Sequence, residues 1–188
     1  MRKALFWFLP ILFVSGWGIY SSGIYPVAIV DGSPIFSRTW RKANIGAVRF
    51  FNATSYSSGF KPIDFSLPEN KGLLRSIESG TLTFLIEDKI ILREGRGLEK
   101  KFESLSSDKI NEALRQVGDV EQKAALIYGL SLKDLRTLVL LPQARRDVLQ
   151  ELVDKKGVGL EEWMVRAKQK TSVRLILTSF VWNGEKVD

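Results

Sequence analysis

The chain contains no cysteine and no histidine among its 188 residues. Those two absences exclude a Cys/His zinc site, a Ser-His-Asp triad, a thiol nucleophile and a disulfide framework, whatever the fold. Nucleotide-loop signatures are missing too. No G-x-x-x-x-G-K-[ST] occurs, and Gly95-Arg96-Gly97 lacks the third glycine and the preceding strand of a dinucleotide loop. Carboxylate pairs occur at Glu87-Asp88, at Glu161-Glu162 and at Asp147 with Glu151, on stretches whose polar faces already account for them. The expectation is therefore a protein that is not an enzyme and that uses no cofactor or metal. Acidic residues are outnumbered, 21 against 28 basic, for a net charge of +7. That excess is too small to specify an anionic polymer, so no nucleic-acid partner is expected. Internal repeats and low-complexity tracts are absent as well.

What is present begins at the N-terminus. Arg2 and Lys3 precede seventeen uncharged residues, 4–20, rich in Leu, Ile, Phe and Trp. As a helix they would reach about 25 Å against a hydrocarbon core of about 30 Å. The preceding positive charges place the rest of the chain outside the cytoplasm, on the periplasmic or cell-surface side. Residues 1–23 thus read as an N-terminal membrane anchor or a signal peptide. No A-x-A site follows the run, and Ser21-Ser22-Gly23 is a weak substitute, so an uncleaved anchor is favoured and cleavage would make the protein secreted.

Residues 27–30 and 33–36 are short apolar stretches around Asp31-Gly32, a dipeptide suited to a type I′ turn, and predict a hairpin. Ser37 is placed to cap a helix to about Asn52, with Trp40, Ala43, Ala47 and Phe51 at helical spacing. Arg38, Arg41, Lys42 and Arg49 keep to other faces of it. That basic side suits anionic headgroups as well as plain water. Residues 53–70 turn to Ser, Gly, Pro and aromatics without periodicity, which predicts a long loop. A long helix is expected over 71–96, with Leu74, Ile77, Phe84, Leu85, Ile91 and Leu92 on a broad apolar face and Gly95-x-Gly97 as its stop.

Further helices are expected from Ser106-Ser107-Asp108 to Gly118, from Val120 to Tyr128 closed by Gly129, and from a capping box at Ser131 to about Lys156. Pro142 must kink or split the last of these. A short helix around Leu160, Trp163, Met164 and Ala167 leads to a strand over 173–182 and an Asn183-Gly184 turn. The fold class that follows is mainly α: a multi-helix domain over 27–188, with a small β-sheet formed by its N- and C-terminal strands, preceded by a membrane-spanning or signal helix.

Four of these stretches, taken in order after an export segment, resemble the SurA N-terminal domain family, the chaperone lobe of extracytoplasmic foldases. They are V-A-I-V-D-G-S-P-I-F-S at 27–37, L-T-F-L-I-E-D-K-I-I-L-R-E-G-R-G-L at 82–98, S-S-D-K-I-N-E-A-L at 106–114 and G-L-S-L-K-D-L-R at 129–136. The resemblance spans about residues 27–157. It implies ATP-independent binding of unfolded or nascent exported polypeptides. Family members that isomerise prolyl bonds carry parvulin domains, whose sites typically contain histidine. Only fifteen residues follow Val173 here, so isomerase activity is not expected. In the family a C-terminal segment often completes the lobe, a part the last strand can play. Residues 53–70 and 173–182 have no residue-by-residue match.

Clustering at a helix end and in the loop nominates Phe50, Phe51, Tyr56, Phe60 and Phe65 as client contacts. A free edge on the terminal strand is a second route, by β-augmentation. Two alternatives accompany the chaperone reading: first a membrane-anchored structural or assembly protein with one dedicated protein partner, and last an extracytoplasmic binder of nucleic acid or another anionic polymer, which the small charge excess disfavours; homo- or hetero-oligomers are open under any of them.

Overall fold

The computed structural model describes residues 23–116 and 119–188; the apolar run at 4–20 lies outside them. The chain is mainly helical, with one three-stranded antiparallel sheet. Among the described residues no helix is long and apolar enough to cross a membrane.

The hairpin forms as its turn dictates. β1 (Pro26–Val30) pairs with β2 (Ser33–Phe36) across Asp31 and Gly32, both with positive φ, at 45° and 80°. A type I′ turn requires that geometry at both central positions. β3 (Val173–Leu175) pairs with the other side of β1, Ala28 opposite Leu175, so the strand order is β2-β1-β3. The two ends of the described chain do meet in one sheet. β3 is much shorter than expected, because Leu177 turns left-handed at φ 52° and Phe180 then dives into the core. Farther on, a single bridge between Trp182 and Val187 spans the Asn183-Gly184 turn.

α1 (Ser37–Ser57) follows β2 without a spacer and runs five residues past the expected end at Asn52. Ser37 is not its cap. Phe36 occupies that position, and the Ser37 hydroxyl is buried with no partner among the described residues. The expected loop is correspondingly shorter. It is fastened at both ends: Asn52 donates to the Ile63 carbonyl (3.2 Å) and accepts from the Ile63 N–H (2.9 Å), and a 3₁₀ turn (Pro68–Asn70) leads into the next helix.

α2 (Lys71–Leu98) is the central element and packs against α1 and the helices that follow it. It passes through Gly95 and Gly97 rather than stopping there. Gly95 leaves room for the fully buried ring of Phe102, which a Cβ at that position would overlap. Phe102 in turn starts α3 (Phe102–Gln116), four residues earlier than expected. Ser106 therefore lies inside the helix, its buried hydroxyl donating to the Phe102 carbonyl at 2.8 Å, and does not cap it.

α4 (Val120–Lys123) widens into a π-turn (Ala124–Tyr128), and Gly129 closes it at φ 62°. α5 (Leu132–Leu135), a second π-turn (Arg136–Leu140) and α6 (Leu141–Asp154) follow one another without a break. This resolves the Pro142 conflict. The Leu141 N–H reaches back to Arg136, so the helix is already widened where a proline ring would press on the carbonyl four residues earlier. α7 (Leu160–Gln169) completes the helices.

The main core joins Val27, Val30 and Ile35 of the sheet to Leu82, Ile86 and Ile90 of α2, with Leu149 and Val153 of α6 and Met164 of α7. A smaller cluster of Ala124, Leu130 and Leu135 lies under the π-turns. Between α2 and α6, Arg145 donates to both oxygens of Asp88 at 2.9 and 2.7 Å. Glu87 accepts from Lys168 at 2.5 Å. The Glu87-Asp88 pair is thus not a solvated surface feature but a seam between helices, where losing one partner would strand a buried charge.

Candidate functional site

The helical wheel of α2 shows why a groove forms. At 100° per residue, Leu82, Leu85 and Ile86 fall on one side and Ile77, Gly80 and Phe84 on the opposite one. The first set is buried in the core. The second cannot reach it, and faces α1 across a gap that neither helix fills. α1 contributes Ala43, Gly46, Ala47, Phe50, Phe51 and Thr54 along one face. The third wall comes from the π-turn region, with Tyr128, Leu130, Leu138 and Val139.

The result is an open groove of about 720 Å³, in the size range of ligand-binding clefts. Small residues form much of its floor and aromatic rings its rim. Gly80 is exposed and has no atom within 4 Å of where a Cβ would stand, so the groove is open to solvent along that edge. Phe50 stacks on Tyr128 with centroids 5.1 Å apart and planes 7° from parallel. Among the described residues no Asp, Glu, Lys or Arg lines the groove. Tyr128 is the one titratable group among the described lining residues, and burial pushes that phenol above its ordinary range, so this lining is uncharged at neutral pH. Thr81 turns its hydroxyl back to the Ile77 carbonyl at 2.7 Å, which removes a polar donor from the cleft. The chemistry on offer is burial of uncharged, apolar surface.

The structure brings three of the five nominated aromatics into this groove. Phe50 and Phe51 lie on the last turns of α1, and Phe60 overhangs from the loop, 69% exposed. Phe65 does not line it; it packs edge-on against Phe51, with centroids 6.1 Å apart, and holds that ring in place. Tyr56 also stays outside the lining, 72% exposed. Sequence reasoning missed Phe84, Ile77 and the whole third wall. The two-sided apolar pattern of residues 77–86 was a signal for the first two. Nothing local marks the third wall, whose residues meet the groove only through tertiary packing.

The alternative route along a sheet edge offers little. β3 provides three residues, and its middle one is the exposed Arg174. Among the described residues no group of three or more carboxylates is placed to hold a metal ion. Glu161 and Glu162 accept from Arg146 and Arg166, and Glu151 accepts from Lys109. No protein-family model, curated protein or solved structure matches this chain.

Proposed function

We propose that this protein is a chaperone-like binder of unfolded or partly folded polypeptides that works without ATP and without prolyl isomerisation. In this reading residues 4–20 hold it at a membrane, the described domain lies outside the cytoplasm, and its relation is to the SurA N-terminal domain family. One observation carries the binding part: a 720 Å³ groove with no charged lining, rimmed by half-exposed aromatic rings. A soluble domain that leaves Phe50, Phe60 and Phe84 open beside one another keeps apolar area in reserve for a partner. The rings supply burial at about 25 cal/mol per Å². Ordering a flexible client opposes that gain, which keeps such complexes weak enough to release. A lining that is mostly apolar, with a few hydroxyls at Thr54, Ser55, Ser58 and Tyr128 and no charged side chain among the described residues, favours many client sequences over one.

Gly80 gives a clean test. Gly80→Leu places an isobutyl group at the exposed edge of the groove between α1 and α2, starting from a Cβ that meets nothing within 4 Å. The change also replaces a glycine inside a helix, which favours folding by about 0.5–1 kcal/mol. The full chain in lipid nanodiscs is expected to suppress aggregation of a chemically denatured, unrelated protein. Gly80→Leu is expected to lose that suppression with an unchanged or raised melting temperature. A wild-type chain that fails to suppress, while folded, would remove the chaperone reading and leave the dedicated-partner reading in its place.

A further inference from the structure

The groove occupies one side of α1; the other side carries a stripe of cations that the groove does not use. At 100° per residue Arg38, Arg41, Ile45 and Arg49 fall within an arc of about 80°. Arg38, Arg41 and Arg49 are exposed, the Arg49 side chain lying across Gly129, and Ile45 among them is 53% exposed. From Gly32 to Ile63 the chain contains no acidic residue. Among the described residues no carboxylate pairs with Arg38 or Arg49, and Arg41 donates only to the Tyr25 hydroxyl, at 3.2 Å. Lys42, just off the stripe, is taken by Asp134.

The stripe starts where the N-terminal segment joins the domain. The Gly23 carbonyl accepts the Arg38 N–H at 3.0 Å, and Gly23 stands three residues after the end of the uncharged run at 4–20. Two apolar side chains stand exposed at the same corner: Ile24 at 60% and Phe36 at 40%, the latter's strand register placing it opposite Pro26. Cations beside exposed aliphatic and aromatic groups, at the mouth of an apolar anchor, are the composition that the headgroup boundary of a bilayer binds.

We infer that the Arg38–Arg41–Ile45–Arg49 face of α1, with Ile24 and Phe36 at its root, docks on anionic phospholipid headgroups. The stripe is about 16 Å long, so the helix lies along the membrane surface. Ala43, Ala47, Phe50 and Thr54 point from about 140° to 180° away from the stripe's centre line, so docking turns the groove toward water. The inference rests on reading residues 4–20 as membrane-embedded and is independent of what the groove binds.

The lack of native cysteine makes the test direct. An environment-sensitive fluorophore is attached at Ile45→Cys in the full chain. The protein is then reconstituted in vesicles of phosphatidylcholine alone or of phosphatidylcholine mixed with phosphatidylglycerol. A parallel label at Leu105→Cys, on α3, reports non-specific contact. The expected result is a blue shift and protection from an aqueous quencher at position 45 in the anionic vesicles only, with the position 105 label wet in both. Replacing Arg38, Arg41 and Arg49 by Gln is expected to weaken docking about fivefold for each cation removed, with unchanged circular dichroism. A position 45 label equally wet in both vesicles would overturn the inference and redirect the stripe to an acidic protein partner. Equal burial in both would overturn it too, because headgroup charge would then play no part.

Discussion

At the scale of single residues, two glycines on α2 should respond oppositely to the same added methyl. Gly95→Ala forces a Cβ into the ring of Phe102, which is fully buried. Overpacking of that kind costs about 1–3 kcal/mol, against a helix-propensity gain of up to about 1 kcal/mol. A net loss of about 1–2 kcal/mol is expected in urea denaturation. Gly80→Ala meets nothing within 4 Å, so it should keep its propensity gain of about 0.5–1 kcal/mol. Equal responses at the two sites would show that Phe102 relaxes freely. The sequence alone reads this pair wrongly for a physical reason. Glycine near the end of an apolar pattern is a stop signal on local grounds, and only the ring arriving from seven residues later makes Gly95 an interior packing position. Ser106 misleads in the same way: it looks like a cap until Phe102 claims the turn before it.

At the scale of elements, the junction between α1 and α5 links stability to pH. Ser131 caps α5 by accepting the Asp134 N–H at 3.1 Å, as the capping box at 131–134 foretells. Asp134 also accepts from Lys42 at 2.8 and 2.9 Å. That bond is the main reason its carboxyl is held below the ordinary value of 3.8. A carboxyl whose folded pKa lies below its unfolded one stabilises the fold above about pH 4. The contribution is lost as pH falls through the lowered folded value. Melting temperature against pH should therefore drop more steeply on the acid side in the wild type than in Asp134→Asn, with the two curves converging at the lowest pH. Parallel curves would remove the α1–α5 link from the acid response. Elements marked by local chemistry were legible: the Asp31-Gly32 hairpin, the Ser131 cap, the Gly129 closure and the order of the helices. The length of the terminal strand was not. Residues 173–182 carry the β-branched and aromatic composition of a strand, but Leu177 and Phe180 spend it on a left-handed turn and a core contact. Pro142 was legible as a conflict, while its resolution by a π-turn needed the backbone.

At the scale of the whole molecule, α1 separates two surfaces of opposite physical character, and salt should tell them apart. Nominating residues from the α1 end and the following loop found the rim of the groove. It could not find the walls, because α2 and the π-turns lie far from α1 in sequence and meet it only through tertiary packing. The groove has no charged lining, so client binding there should be flat or slightly stronger as ionic strength rises, as burial of apolar surface is. The α1 stripe meets its lipid surface through exposed guanidiniums, and screening within a Debye length of about 8 Å at physiological salt weakens that contact progressively. The full chain in vesicles containing phosphatidylglycerol, labelled at Ile45→Cys, allows both to be read in one salt titration against a fluorescent unfolded client. The expected outcome is that the label at position 45 becomes wet while client anisotropy holds or rises. If client binding falls in step with the stripe's release, the client is held by the cations of α1 and not by the groove. Gly80→Leu would then leave client binding intact, and the binding site would lie on the opposite side of α1.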